Sequence, residues 1–160
     1  MTESLEAQVG AALLERGWTI GTAESCTGGL ILHRLTNIAG SSAYVLGGIV
    51  AYSNQVKQSL LHVKQGTLMA YGAVSEQTAQ EMALGARQIL RTDLAVSVTG
   101  IAGPGGGTAE KPVGLTYIGL AGPDDLLVVQ RHLWDGDREA IKQASADAAL
   151  QLVLESLAQR

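Results

Sequence analysis

The chain has 160 residues, a formal net charge of −4 and 16% charged residues. At about 150 residues per domain this is one domain, long enough for a single core, and its 46% apolar content is too high for a disordered chain. The acidic balance excludes nucleic acid as the main partner, because a phosphate backbone needs a basic face. It leaves room for one phosphate monoester held by a cation or two.

Cys26 is the single cysteine, so no internal disulfide can form, which fits a reducing compartment. The opening segment MTESLEAQVG is acidic and amphipathic and lacks the basic start and apolar block of a secretory leader. No apolar run approaches the ~18 residues needed to span a membrane. The expectation is a cytoplasmic protein with neither a membrane nor a nucleic acid as partner. Phenylalanine is absent and glycine numbers 20, so the core is expected to be aliphatic and alanine-rich.

Leu5, Val9, Ala12 and Leu13 recur at helical spacing between Ser4 and Gly17 and predict an N-terminal helix. Trp18 to Ala23 is a short β-prone run. It leads through Glu24 to Gly29 into Leu30 to Leu35, which reads as strand, tight turn, helix. Tyr44 to Tyr52 predicts an apolar strand, and Ser53 opens another helix that carries Lys57. Ser75 is a good N-cap for a long helix whose buried face is expected at Ala79, Met82, Ala83, Ala86 and Ile89.

Asp93 to Thr99 predicts a buried, central strand ending in a glycine-rich loop, Gly100 to Gly107. Val113 to Ala121 and Leu126 to Leu133 predict two more strands joined as a hairpin through Gly122 to Asp125. Asp137 caps a closing helix with Ile141, Ala144, Ala148 and Leu152 on one face. The order favours a single-domain, layered α/β fold with a mixed, mostly parallel sheet flanked by helices.

Three segments follow predicted strands: Thr22 to Gly29, Tyr52 to Lys57, and Thr99 to Pro104. Parallel strands would gather all three at one carboxyl edge, where open α/β sheets bind ligands. Ser25 sits where a strand turns sharply into a helix, a place suited to a nucleophile with oxyanion donors beside it. Its competing reading is a helix cap, which is what serine mostly does there. His33, His62 and His132 all lie away from the predicted active edge, which disfavours a Ser-His-Asp triad. Lys57, one helical turn into its helix, can reach that edge and act as the base if desolvation makes it neutral. The other reading is a solvated surface charge.

Cys26 is a rival nucleophile, although a buried structural thiol suits it better. Glu24 either receives the next helix start or orients Lys57. The glycine-rich loop reads as a substrate-covering loop or a flexible connection. Arg138, near a helix start, reads as a phosphate ligand or a solvated arginine. No His/Cys/carboxylate cluster has metal-ligand spacing, so no metal and no cofactor are expected.

The segments TAESCTGG, GGIVAYSNQVK, GAVSE, VTGIAGP and EKPVG, in this order, resemble the CinA C-terminal domain family. The resemblance runs from the first helix to the last. It implies amide hydrolysis of nicotinamide mononucleotide to nicotinic acid mononucleotide and ammonia, with the nucleophilic serine at Ser25, the lysine at Lys57 and a third polar catalytic residue at Thr99. The residues expected around the substrate are Cys26, Thr27, Gly28, Gly29, Tyr52, Gly100, Gly103, Pro104 and Arg138. Longer family members carry an additional domain resembling molybdopterin-binding proteins. Nothing like it stands in these 160 residues, so no nucleotide pyrophosphatase activity is expected.

The rival to an enzyme is a non-catalytic nucleotide-sensing or interaction module, which would not need Ser25, Lys57 and Thr99 together. A homo-oligomer, taken as a dimer, is expected of a small domain rich in Ala and Gly.

Overall fold

The structure, a computed structural model, describes residues 2–160. The chain runs α1 (Leu5–Arg16), β1 (Ile20–Glu24), α2 (Leu30–Thr36), a 3-10 turn (Ser41–Ala43), β2 (Val45–Val50), α3 (Asn54–Leu61), α4 (Gln65–Tyr71), α5 (Glu76–Leu90), β3 (Leu94–Gly100), β4 (Leu115–Ala121), β5 (Leu127–Leu133) and α6 (Arg138–Ala158). The sheet order is β2-β1-β3-β4-β5. β2, β1 and β3 pair parallel, whereas β4 is antiparallel to both of its neighbours. β5 therefore points the same way as β1, β2 and β3, and β4 alone runs back.

That single reversal places the last helix. β3 ends at the carboxyl edge, the glycine-rich loop crosses that edge, and β4 descends to the hairpin at the opposite edge. β5 then climbs back and delivers the start of α6 to the edge where β1 and β3 end.

Side chains alternate across a strand, so register decides which residues share a face. Ile20 pairs with Leu94, Thr22 with Val96 and Glu24 with Val98. Leu94, Val96 and Val98 pack with Ile118, Leu120, Ile141, Leu150 and Val153 in the larger core, beneath α1, α2 and α6. The opposite face is lined by small residues: Gly21 and Ala23 on β1, Ala95 and Ser97 on β3, and Gly119 on β4. They let α5 lie close, with Ser97 Oγ donating to the Ala79 carbonyl at 2.6 Å. Ala23, Ala95, Met82, Ala86 and Leu61 form the core on this side. The abundance of Gly and Ala thus has a specific cause: one helix layer seated almost on the backbone of the sheet.

Three expectations need correction. A helix, α4, lies between the Lys57 helix and Ser75, where the sequence reading placed no element. It buries none of its residues, its N-cap Lys64 makes no side-chain cap bond, and its start is held by Glu81 of α5, which accepts from Lys64 N–H and Thr67 Oγ1. A helix without an apolar stripe leaves no periodic signal.

Ile89 is 42% exposed, because α5 turns that position away from the sheet. On α6 the buried positions are Ile141, Ser145, Ala146, Ala149, Leu150, Leu152, Val153, Ser156 and Leu157, while Ala144 and Ala148 are half-buried. α6 packs on the sheet and on α1 and α2 together, which widens its buried face beyond one stripe.

Candidate active site

β1 ends at Glu24, and its side chain points to the α2 side of the sheet. The N-cap of α2 is Gly29, which has no capping side chain, and the buried Glu24 carboxylate takes that role. Glu24 Oε1 accepts from Thr27 Oγ1 at 2.7 Å and Ile31 N–H at 2.9 Å, and Oε2 accepts from Leu32 N–H at 3.0 Å. A carboxylate at a helix N-terminus is favoured by the dipole and by charge-assisted hydrogen bonds. Of the two readings of Glu24, the helix-start role is the observed one. Its bonds brace the segment between Ser25 and Gly29.

Alternation then turns Ser25 to the opposite face, beside Thr99 on the neighbouring strand. Ser25 N–H donates to Val98 C=O at 3.0 Å and Gly28 N–H donates back to Ser25 C=O at 3.1 Å. The N–H groups of Cys26 and Thr27 have no carbonyl acceptor among the described residues.

Lys57 reaches this point from α3. Ser53 caps that helix by accepting from Val56 N–H at 3.1 Å, which sets the first turn and the direction of Lys57. Lys57 is 1% exposed, and its Nζ donates to Ser25 Oγ at 3.0 Å and to the Tyr52 carbonyl at 3.2 Å. It forms no salt bridge among the described residues. Burial holds its ammonium below the ordinary lysine range, and the nearby Cys26 offsets part of that shift. The reading of Lys57 as a solvated surface charge does not hold.

Ser25, Cys26, Tyr52, Asn54, Lys57, Ala73, Val74, Thr99, Gly100, Ala102 and Arg138 line a pocket of about 190 Å³. Thr99 Oγ1 donates to the Ala73 carbonyl at 2.8 Å, which ties β3 to the turn between α4 and α5 and leaves the Thr99 oxygen as an acceptor. Arg138, the first residue of α6, donates through Nη1 to Gly103 C=O at 2.7 Å and through Nη2 to Tyr52 Oη at 3.1 Å. One guanidinium thus joins the glycine-rich loop, the β2–α3 connection and α6 at the mouth.

Of the residues singled out from the sequence, Ser25, Cys26, Lys57, Tyr52, Thr99, Gly100 and Arg138 come together in this pocket. Gly103 is buried and joins through its carbonyl to Arg138. Thr27, Gly28, Gly29 and Pro104 do not line it; Thr27 spends its hydroxyl on Glu24, and Pro104 is exposed.

Asn54, Ala73, Val74 and Ala102 line the pocket without having been singled out. Asn54 had a signal, since it lies inside the Tyr52 to Lys57 segment. Ala73 and Val74 carry no chemistry of their own and are brought in by the Thr99 bond. No histidine lines the pocket. His33 lies within hydrogen-bonding distance of Asn37, His62 caps α3, and His132 stacks on Trp134.

Cys26, 6% exposed, has its thiol pushed up to about 11, chiefly by burial. It is a poor thiolate source near neutral pH. Among the described residues no group of three or more His, Cys, Asp or Glu side chains could hold a metal ion, and no helix is long and apolar enough to cross a membrane.

Residues 2–157 match the family model of the CinA C-terminal domain. The chain belongs to the CinA C-terminal domain family. It is 51% identical to the nicotinamide-nucleotide amidohydrolase PncC of Enterobacter agglomerans, over 94% of this chain and 92% of that one. It is also 51% identical to a competence-damage inducible protein of Moorella thermoacetica, of whose length it spans 37%. Among solved structures, the competence/damage inducible protein CihA from Agrobacterium tumefaciens superposes with a TM-score of 0.92 at 45% identity, covering 96% of this chain and 93% of that one. A CinA superfamily protein from Klebsiella pneumoniae gives 0.93 at 35% identity, over 98% and 97%. The layered fold with its mixed sheet is the fold of this family.

Proposed function

We propose that this CinA-family domain is an amidohydrolase that converts nicotinamide mononucleotide to nicotinic acid mononucleotide and ammonia through a Ser25 acyl-enzyme. The observation that carries the reading is the buried Lys57 Nζ, 3.0 Å from Ser25 Oγ. The name of the relative from Enterobacter agglomerans, a nicotinamide-nucleotide amidohydrolase, supports this substrate class.

Neutral Lys57 takes the Ser25 proton as Oγ attacks the carboxamide carbon. The oxyanion is held by the free N–H of Cys26, the residue after the nucleophile. Lys57 returns the proton to the departing nitrogen, the C–N bond breaks and ammonia leaves. Water, deprotonated by Lys57, then attacks the ester carbon and releases the acid and Ser25. The sum is amide plus water to carboxylic acid plus ammonia.

Thr99, its own proton committed to Ala73, accepts a hydrogen bond from the reacting nitrogen or from Lys57 and orients it. Arg138 uses two of its five N–H donors on protein, which leaves three for the anionic end of the substrate.

The experiment is ammonia release from nicotinamide mononucleotide by wild type and by Ser25→Ala. Loss of a covalent nucleophile is expected to lower kcat roughly a thousandfold or more while the fold is retained. Near-normal turnover in Ser25→Ala sinks the serine mechanism. No ammonia from wild type overturns the substrate assignment and leaves an amidase for a different small amide or a nucleotide-sensing module.

A further inference from the structure

Arg138 lines two cavities. One is the Ser25–Lys57 pocket of about 190 Å³. The other, of about 450 Å³, lies between the start of α2 and the first turns of α6 and is lined by Leu30, Arg138, Glu139, Lys142 and Gln143. The first is smaller than the roughly 300–1,000 Å³ of typical small-molecule sites, so a nucleotide reacting at Ser25 extends beyond it, and the second cavity adjoins it across Arg138.

What it meets there is Lys142. This side chain makes no ion pair and no hydrogen bond among the described residues, although Glu139 stands one turn before it on α6. Its Nζ hangs over the nucleophile turn: a Cβ on Gly28, whose φ of +63° already suits glycine, would lie 3.7 Å from it. The positive charge is felt within the turn, where it acts with Lys57 to lower the Cys26 thiol against the larger effect of burial. Leu30 offers an apolar wall and Gln143 a further hydrogen-bonding group.

We propose that Lys142 binds the phosphate monoester of the nucleotide in the cavity between α2 and α6, with Arg138 at the boundary between base and phosphate. The inference rests on the amidase reading and adds the phosphate subsite to it. Lys142 acts as a point charge on flexible carbons, suited to a terminal phosphate. Arg138, already tied to Gly103 and Tyr52, is the fixed partner.

The test measures kcat/KM for nicotinamide mononucleotide and for the dephosphorylated nicotinamide riboside in wild type, Lys142→Ala and Lys142→Arg. Where riboside turnover falls below detection, inhibition constants of nicotinic acid mononucleotide and its riboside give the same ratio. Wild type is expected to prefer the phosphorylated form. Lys142→Ala is expected to shrink that preference roughly tenfold to a hundredfold, the range of a charge-assisted hydrogen bond, and Lys142→Arg is expected to keep most of it. An unchanged nucleotide-to-riboside ratio in Lys142→Ala, or no preference in wild type, overturns the inference and leaves the amidase reading standing. No turnover of the nucleotide by wild type removes both.

Discussion

Lys57 and Ser25 are brought together from the ends of two adjacent parallel strands: the serine follows β1, and the lysine leans back to it from the first turn of α3, which follows β2, with Nζ 3.0 Å from Oγ. Among the described residues Lys57 forms no ion pair that would hold its proton, and burial works against its charge. The neutral form therefore becomes available below the ordinary lysine value of 10.5. Activity is expected to rise with pH on a limb below that value. Lys57→Arg is expected to be nearly as inactive as Lys57→Ala, because guanidinium does not release its proton in this range. A pH–rate profile beside turnover of the two variants decides it. Substantial activity in Lys57→Arg reduces the lysine to a positive charge.

The same burial predicts a stability cost. Between the native and unfolded values of Lys57 the unfolded chain binds more protons, so this group makes stability rise with pH in that window. Below both values the cost is fully present. Lys57→Met is expected to remove it and to raise the Tm of the inactive protein near neutral pH. The gap to wild type should narrow as pH climbs toward 10.5. Thermal melts of both proteins across pH check this, and a Met variant that melts lower contradicts it.

The Cys26 thiol touches the pocket, and the proposed mechanism uses only the backbone N–H of this residue. With its thiol near 11 it is protonated at neutral pH. Cys26→Ala is expected to keep turnover within a few-fold of wild type, and the native protein should react slowly with iodoacetamide. Rapid alkylation that tracks loss of activity would restore the thiol as nucleophile.

Gly85, in the middle of α5, lies against the backbone carbonyl of Leu61, the last residue of α3, so closely that a Cβ there would collide with it. α3 carries Lys57. Gly85→Ala gains helix propensity of about 1 kcal/mol but must displace α3. The expected net result is a protein destabilised by roughly 1–3 kcal/mol, as overpacking usually costs, with a larger fractional loss in kcat than in binding. Denaturant midpoints and steady-state constants measured together test it. A stabilised, fully active Gly85→Ala would show that α3 can slide without moving the lysine.

How much of this was legible in the sequence depends on where each signal is stored. The turn at Ser25, the cap at Ser75 and the central strand through Val96 and Val98 are written locally, in adjacent residues, and were readable. The helix at Gln65–Tyr71 was not, because its start is held by Glu81, well along the chain, and it buries nothing.

The site divides in the same way. Ser25, Lys57 and Arg138 stood out by residue type and place, and Thr99 as a site residue through the family resemblance. Ala73 and Val74 enter through a backbone carbonyl that any residue would supply, bonded to Thr99 from 26 positions away. Lys142 was invisible as a site residue because a lysine on a helix reads as solvated until the cavity beside it is seen.

The hairpin between β4 and β5 turns through Pro123, Asp124 and Asp125, with Gly122 N–H donating to the Leu126 carbonyl and both aspartates in left-handed backbone. β4 spans seven residues, about 23 Å at ~3.3 Å each, so this turn lies nearly the full height of the sheet from Ser25. The Ser25 pocket therefore opens at the edge of the sheet away from this hairpin. A reporter inserted between the two aspartates, or a surface linker attached there, leaves the catalytic mouth facing open solvent.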